Sequence, residues 1–426
     1  MSSSEKLGFH ISPATVVATI LTVYFAKTLW DGMPRWIKKR INQDNGDNDT
    51  ETAEDSDKNL TNPMVIFERI KMLFDVIDRK VSDVIPEHLP SHKIFAAAIG
   101  AIHLYCEIQA TMPLEKENLY REAAGGDANQ QDLDGLAQKM EFADWAYEDQ
   151  RADLDDKLKK VSYDLLRFDQ ATEPGRVGHY IAINYDKKVV LIGLKGTSTF
   201  SDVLTDVVAH SSEYDLKNSF DSSYAEKEIR AHEGIFAAAV LMADETQQLI
   251  ENLFIPCKYS ILITGHSLGA GTACLLGLLL RTRIPALRNE LKDMLKVYAF
   301  APPPVLNYDA ALACAPFVTS VVNNSDVIPR MSLSNLVVLN RLLMKVNKRQ
   351  EEKGLSPDDL KTALALAQDL MVIDDELLLS CEELRDFYEE TYKSEDMHGV
   401  DNLYVPGRVI VLFPKENEKV KEGEEK

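Results

Sequence analysis

Ile261-Leu-Ile-Thr-Gly-His-Ser-Leu-Gly-Ala-Gly-Thr-Ala-Cys-Leu-Leu-Gly-Leu-Leu-Leu280 passes from one apolar run, through Gly-His-Ser-Leu-Gly, into another. Residues 265–269 fit G-x-S-x-G, the sharp turn that lifts a serine hydroxyl clear at a strand-to-helix junction. The flanking glycines matter because side chains two residues either side of the serine would collide with the crossing backbone. A continuous apolar run before the turn suits a strand buried on both faces, and the run after it suits a buried helix. Ser267 is therefore a candidate nucleophile. A hydroxyl is a weak one, so the rest of the chain must supply a base, an acid to orient that base, and donors for an oxyanion.

Working outward, residues 180–185 and 188–194 flank Asp186-Lys187 and read as a hairpin. Residues 260–264, 296–301, 317–323 and 408–413 are further apolar runs separated by helical stretches. That alternation predicts an α/β fold with a mostly parallel central sheet and helices on both faces. The run 317–323 ends in Asn-Ser-Asp-Val-Ile-Pro-Arg330, so Asp326 emerges at the carboxyl end of a strand, where such sheets place their sites. Asp326 is the candidate orienting acid. The backbone N–H of Leu268, next to the serine, is the first oxyanion donor. Thr197, in Leu194-Lys-Gly-Thr-Ser-Thr-Phe directly after a strand, is placed to supply the second.

Six ordered motifs together resemble a known family. They are residues 194–206 (Leu-Lys-Gly-Thr-Ser-Thr-Phe-Ser-Asp-Val-Leu-Thr-Asp), Ala231-His-Glu-Gly-Ile-Phe, Thr264-Gly-His-Ser-Leu-Gly-Ala-Gly, Phe300-Ala-Pro-Pro-Pro, Asn324-Ser-Asp-Val-Ile-Pro-Arg and Leu403-Tyr-Val-Pro-Gly-Arg. Residues 135–413 are similar to the class 3 lipases, and more narrowly to the sn-1-specific diacylglycerol lipases. The resemblance implies an α/β-hydrolase fold and hydrolysis of a glycerolipid acyl ester. It implies Ser267 as nucleophile, Asp326 as acid, and Thr197 and Leu268 at the oxyanion hole. It also places a lid or regulatory loop between Asp206 and His232, and has His232 shape the start of a helix below the site. No metal or organic cofactor is needed for this chemistry. A phospholipase or galactolipase on the same scaffold would differ only in head-group contacts.

The base is where this chain departs from the family. The family's catalytic histidine follows a further strand beyond the one matching residues 407–413, whereas residues 414–426 contain no histidine. The histidine that follows Asp326 is His398, in Glu-Asp-Met-His-Gly, ahead of the last strand. Three readings stand open: His398 as the base, a chain without the family's C-terminal histidine, and a degenerate lipid-binding or scaffold protein.

Composition sets outer limits. The 426 residues carry 68 acidic against 47 basic side chains, a net charge of −21, which disfavours nucleic-acid partners. Five scattered cysteines form no C-x-x-C pair and read as small hydrophobes, Cys274 among them. Residues 7–26 lack charge and precede Trp30, Trp36 and Lys38-Lys39-Arg40. Residues 1–42 thus read as a membrane anchor with a basic flank and a cytosol-facing catalytic body, with a signal peptide or a surface helix as alternatives. Residues 43–62 read as an acidic disordered linker. Residues 63–130 read as helical, 131–414 as the hydrolase domain with a helical insertion at 340–395, and 415–426 as a charged tail.

Overall fold

The computed structural model describes residues 130–171, 175–197, 211–216, 228–323, 328–354, 381–394 and 402–412, with Lys93, Ala97, Ala128, Phe220, Asp326, Leu379, Met397 and Val400 besides. The anchor, the linker and most of the helical stretch expected before residue 130 lie outside these residues, as does His398.

A seven-stranded sheet runs in the order β1 (Asp164–Asp169), β2 (His179–Asn184), β3 (Val189–Leu194), β6 (Ser260–His266), β7 (Leu295–Phe300), β8 (Val318–Asn323) and β9 (Arg408–Leu412). β1, β2 and β3 are antiparallel, and β3, β6, β7, β8 and β9 are parallel. A small separate sheet pairs β4 (Ser211–Glu213) with β5 (Arg230–His232). The described helices are α1 (Gln130–Leu133), α2 (Leu136–Trp145), α3 (Arg151–Lys159), α4 (Glu233–Leu249), α5 (Leu268–Arg283), α6 (Tyr308–Ala313), α7 (Leu333–Glu352) and α8 (Cys381–Lys393). This is the mostly parallel α/β sheet expected from the alternating apolar runs, and the α/β-hydrolase architecture that the resemblance implied.

Both faces of the central strands are covered. On β2, Ile181 and Ile183 join the core beneath α4 and α5, with Ile192, Ile263, Phe236, Met242 and Leu276. The intervening Tyr180 and Ala182 pack on the other face with Phe142, Leu154, Leu158 and Tyr163 from α2, α3 and the turn after α3. Strands covered on both faces need no polar alternation, which is why they read as unbroken apolar runs. The helix α5 is buried almost all round, and its Gly277 lies so close to Val297 that an added Cβ would sit 2.7 Å from the valine methyl.

The strand β1 was not foreseen. Asp164-Leu-Leu-Arg-Phe-Asp169 is half exposed and charged at both ends, and it takes strand form through pairing with β2 at the sheet edge.

The chain divides into two compact units. One comprises Gln130–Ser198, Ala209–Met331 and Leu403–Lys426 and holds both sheets. The other comprises Met1–Asn129, Thr199–Val208 and Ser332–Asn402. Within the second, the Ser332 hydroxyl caps α7 by accepting from the N–H of Asn335 at 3.2 Å. α7 packs against α8, with an Arg349–Glu383 ion pair and Lys345 lying 5.3 Å over the Phe387 ring. Among the described residues no helix is long and apolar enough to cross a membrane; residues 7–26 were not among them.

Candidate active site

Ser267 stands between β6 and α5 with φ 55° and ψ −126°, a conformation that L-residues avoid. The surroundings hold it there. Its N–H donates to the Phe300 carbonyl on β7 at 2.9 Å, and its own carbonyl accepts from Ala270 and Gly271 at 2.9 and 3.1 Å. The glycines answer to backbone crowding. A Cβ on Gly265 would lie 2.4 Å from the Gly269 carbonyl oxygen, and one on Gly269 would lie 2.4 Å from that of Leu194. Neither backbone can retreat, so the motif's two glycines are steric requirements.

The second of those contacts brings β3 to the elbow. Leu194 pairs with Gly265, and the chain continues as Lys195, Gly196 and Thr197. Gly196 lies against the elbow itself, since a Cβ there would sit 2.5 Å from the His266 carbonyl oxygen and 2.2 Å from the Tyr147 hydroxyl. The base of this loop is fastened at Lys195. Its N–H donates to Gly178 at 2.7 Å, and its ammonium reaches Gln170 at 3.3 Å and Asp149 at 3.6 Å. Ser267, Leu268 and the Gly196-Thr197 loop therefore share the carboxyl end of adjacent strands β3 and β6.

Asp326 lies three residues beyond β8, at the same end of the sheet. Burial raises its carboxyl to about 6, against the opposing pull of the Ile328 N–H, which donates to Oδ1 at 3.0 Å, and of nearby Arg330. The Arg330 guanidinium also donates to the Asp326 backbone carbonyl. A buried carboxylate with one backbone donor is poised to gain from a cationic neighbour.

The histidines fall into different roles. His266 is buried, and its Nδ1 lies 3.2 Å from the Tyr147 hydroxyl. Burial pushes it down to about 4, so it is neutral. His232 caps α4, its Nδ1 accepting from the N–H of Ile235 at 3.3 Å. Cys274 is fully buried and its thiol is pushed well up by desolvation, in keeping with packing. Tyr147 was not foreseen, because its partner lies 119 residues away.

Asp169, His179 and Glu245 bring potential ligand atoms within 4.8 Å of one another. The two carboxylates are already engaged. Asp169 accepts from the Ala171 N–H at 2.9 Å and from Arg167 and Arg176 at 3.3 and 3.1 Å. Glu245 accepts from the same two arginines, each at 2.6 Å. Two guanidinium and two carboxylate charges balance, and a dication would face both guanidiniums. The cluster is best understood as a charge network tying β1 and the start of β2 to α4.

A sequence profile of the class 3 lipases, Lipase (class 3), matches residues 191–336. That span holds the Gly196 loop, the elbow and the Asp326 turn in family order. Over that span the chain is similar to the class 3 lipases. The match is 31% identical over 183 residues to diacylglycerol lipase-alpha of Homo sapiens, covering 40% of this chain and 16% of that protein. It is 31% identical over 170 residues to diacylglycerol lipase-beta of Mus musculus, covering 39% of this chain and 23% of that protein. The matched segments cover less than a quarter of these relatives' length. Among solved structures, the lipase from Rhizopus microsporus var. chinensis matches at 20% identity over 48% of this chain and 70% of that one, with a TM-score of 0.39.

Proposed function

We propose that the lipase domain is a serine hydrolase that cleaves an acyl ester of a glycerolipid, of the diacylglycerol class, through an acyl-enzyme intermediate. The Ser267 hydroxyl attacks the ester carbonyl. The N–H groups of Leu268 and Thr197 receive the developing oxyanion, and such donors contribute about 10²–10³ each to rate. A histidine takes the serine proton and returns it to the leaving glycerol oxygen, and we assign that base to His398. Asp326 orients the base and stabilises its imidazolium, a task its desolvated carboxylate suits. The reading rests above all on one observation: Ser267 sits at φ 55° between strand and helix, with the Gly196 loop against the carbonyl of the residue before it. The similarity to two diacylglycerol lipases supports the substrate class. We further place the protein at a membrane surface through residues 7–26, with its catalytic body in the cytosol.

The test is hydrolysis of diacylglycerol dispersed in phosphatidylcholine vesicles by the purified full chain. Wild type should release free fatty acid, Ser267→Ala should release none, and His398→Ala should fall by at least about 10³-fold. Equal turnover in wild type and Ser267→Ala would overturn the reading. Unchanged turnover in His398→Ala would remove that residue from the mechanism.

A further inference from the structure

Tyr147 sits two residues beyond α2, only 5% exposed, with nothing in its own neighbourhood of sequence to mark it. Its N–H donates to the Asp144 carbonyl at 3.0 Å, which fixes the backbone at the helix end. From there the ring reaches across to the elbow, 6.1 Å from the His266 ring by centroids. The hydroxyl lies 3.2 Å from His266 Nδ1 and 3.5 Å from the His266 carbonyl oxygen. The third body is Gly196, whose Cα leaves no room for a methyl between the Tyr147 hydroxyl and that same carbonyl. One oxygen atom therefore touches both the residue before Ser267 and the residue before Thr197.

We propose that Tyr147 is a positioning residue, whose hydroxyl locks the nucleophile elbow to the oxyanion loop and so sets the spacing between the two N–H donors. The inference rests on the acyl-transfer reading above and adds the group that holds its parts in register. The argument is geometric. Ser267 and Leu268 lie at the junction of β6 and α5, whereas Thr197 lies three residues past the end of β3. Backbone pairing fixes β3 against β6 as far as Leu194 and Gly265. Beyond that pair Gly196 stays against the His266 carbonyl, and the Tyr147 hydroxyl, bonded to His266, packs on Gly196 as well. His266 is buried and neutral, so the hydroxyl–imidazole bond holds unchanged across the pH range in which a hydrolase works. Misplacing reacting groups by about 1 Å costs about 10²-fold in rate, and the donors act on the transition state rather than on bound substrate. Loss of the clamp should therefore lower kcat and leave KM nearly unchanged.

The experiment compares wild type, Tyr147→Phe, His266→Leu and the double variant by steady-state hydrolysis and by the rate at which a fluorophosphonate labels Ser267. Thermal unfolding of each variant establishes that it is folded. Tyr147→Phe should lose about 10–100-fold in kcat, with KM within about twofold and labelling slowed in parallel. His266→Leu should lose a similar factor, and the double variant no more than either single one, because both remove the same bond. His266→Gln, which keeps a polar partner for the hydroxyl, should recover much of the rate. A Tyr147→Phe protein that melts earlier but keeps wild-type kcat and labelling would overturn the clamp and leave the hydrolase reading intact. The same holds if only KM rises. Wild type that neither hydrolyses lipid nor takes the label would overturn the hydrolase reading and the clamp's catalytic role with it.

Discussion

Two buried histidines near the same end of the sheet are both pushed down by desolvation, in different surroundings. His266, at the elbow, lies against the Tyr147 phenol, and desolvation holds it neutral. His179 pairs in register with Leu194, yet its Nε2 lies 3.9 Å from the Glu245 carboxylate among two arginines and Asp169. Its Nδ1 lies 3.2 Å from the Val177 carbonyl, which can only accept, so Nδ1 carries the proton and Nε2 a lone pair. The elbow is governed by steric fit, with backbone atoms in contact that no substitution can relieve. The edge network is governed by charge balance, with long side chains that can adjust. Substitutions at the first should be severe and insensitive to salt, whereas those at the second should be mild and salt-dependent.

The largest expected effect is at Asp326. Asp326→Asn should lower kcat/KM by about 10⁴-fold, since the base loses its orienting charge. The same change should raise stability. The folded-state carboxyl, at about 6, lies above its value of 3.8 when unfolded. Between about pH 4 and 6 the unfolded chain gives up this proton while the folded chain retains it, so folding free energy declines as pH rises. Above pH 6 the ionised group carries the whole cost, of order 1–3 kcal/mol. Thermal unfolding at pH 8 should accordingly show a higher Tm for Asp326→Asn than for wild type. For wild type, kcat/KM should fall as pH drops below about 6 and Asp326 is protonated, which a profile from pH 5 to 8 measures.

Gly269→Ala comes next. Its Cβ would meet the Leu194 carbonyl at 2.4 Å, so the elbow must move away from the end of β3. A loss of about 2–4 kcal/mol in denaturant unfolding, with activity gone, is the expected outcome. Added salt should not alter it.

Smaller effects follow from charges away from the elbow. Asp144 has a buried Oδ1 without a hydrogen-bond partner among the described residues, and burial raises its carboxyl to about 7. By the same sign, its cost grows from about pH 4 to 7 and is complete above that. Asp144→Asn should stabilise the protein at pH 8 by about 1–2 kcal/mol after allowance for its partial solvent access, with kcat within about twofold. Glu245→Gln, in the edge network, should cost about 1 kcal/mol at low salt and less at 1 M, which would separate the two regions by salt dependence alone. A salt-insensitive loss at Glu245 would break the comparison.

How much of this could be read from sequence depends on how local each feature is. Gly265, Ser267 and Gly269 lie within five residues, and the crowding that demands them belongs to the turn itself. The positions of Asp326 and Thr197 just past strands were legible because a polar run follows each apolar one. Long-range partnerships left no such trace. Tyr147 meets His266 across 119 residues, and Arg167 meets Glu245 across 78. Likewise β1 has too little apolar pattern of its own and becomes a strand through β2. The expected anchor at residues 7–26 and the base assigned to His398 lie outside the described residues and rest on the sequence.

The central claim, that Ser267 is an activated nucleophile, is tested most directly by treating the full chain with a fluorophosphonate and mapping the adduct by peptide mass spectrometry. The account predicts one adduct, on Ser267, lost in Ser267→Ala and formed far more slowly in Asp326→Asn. An unmodified Ser267 in folded wild-type protein, or an adduct that persists in Ser267→Ala, would contradict it.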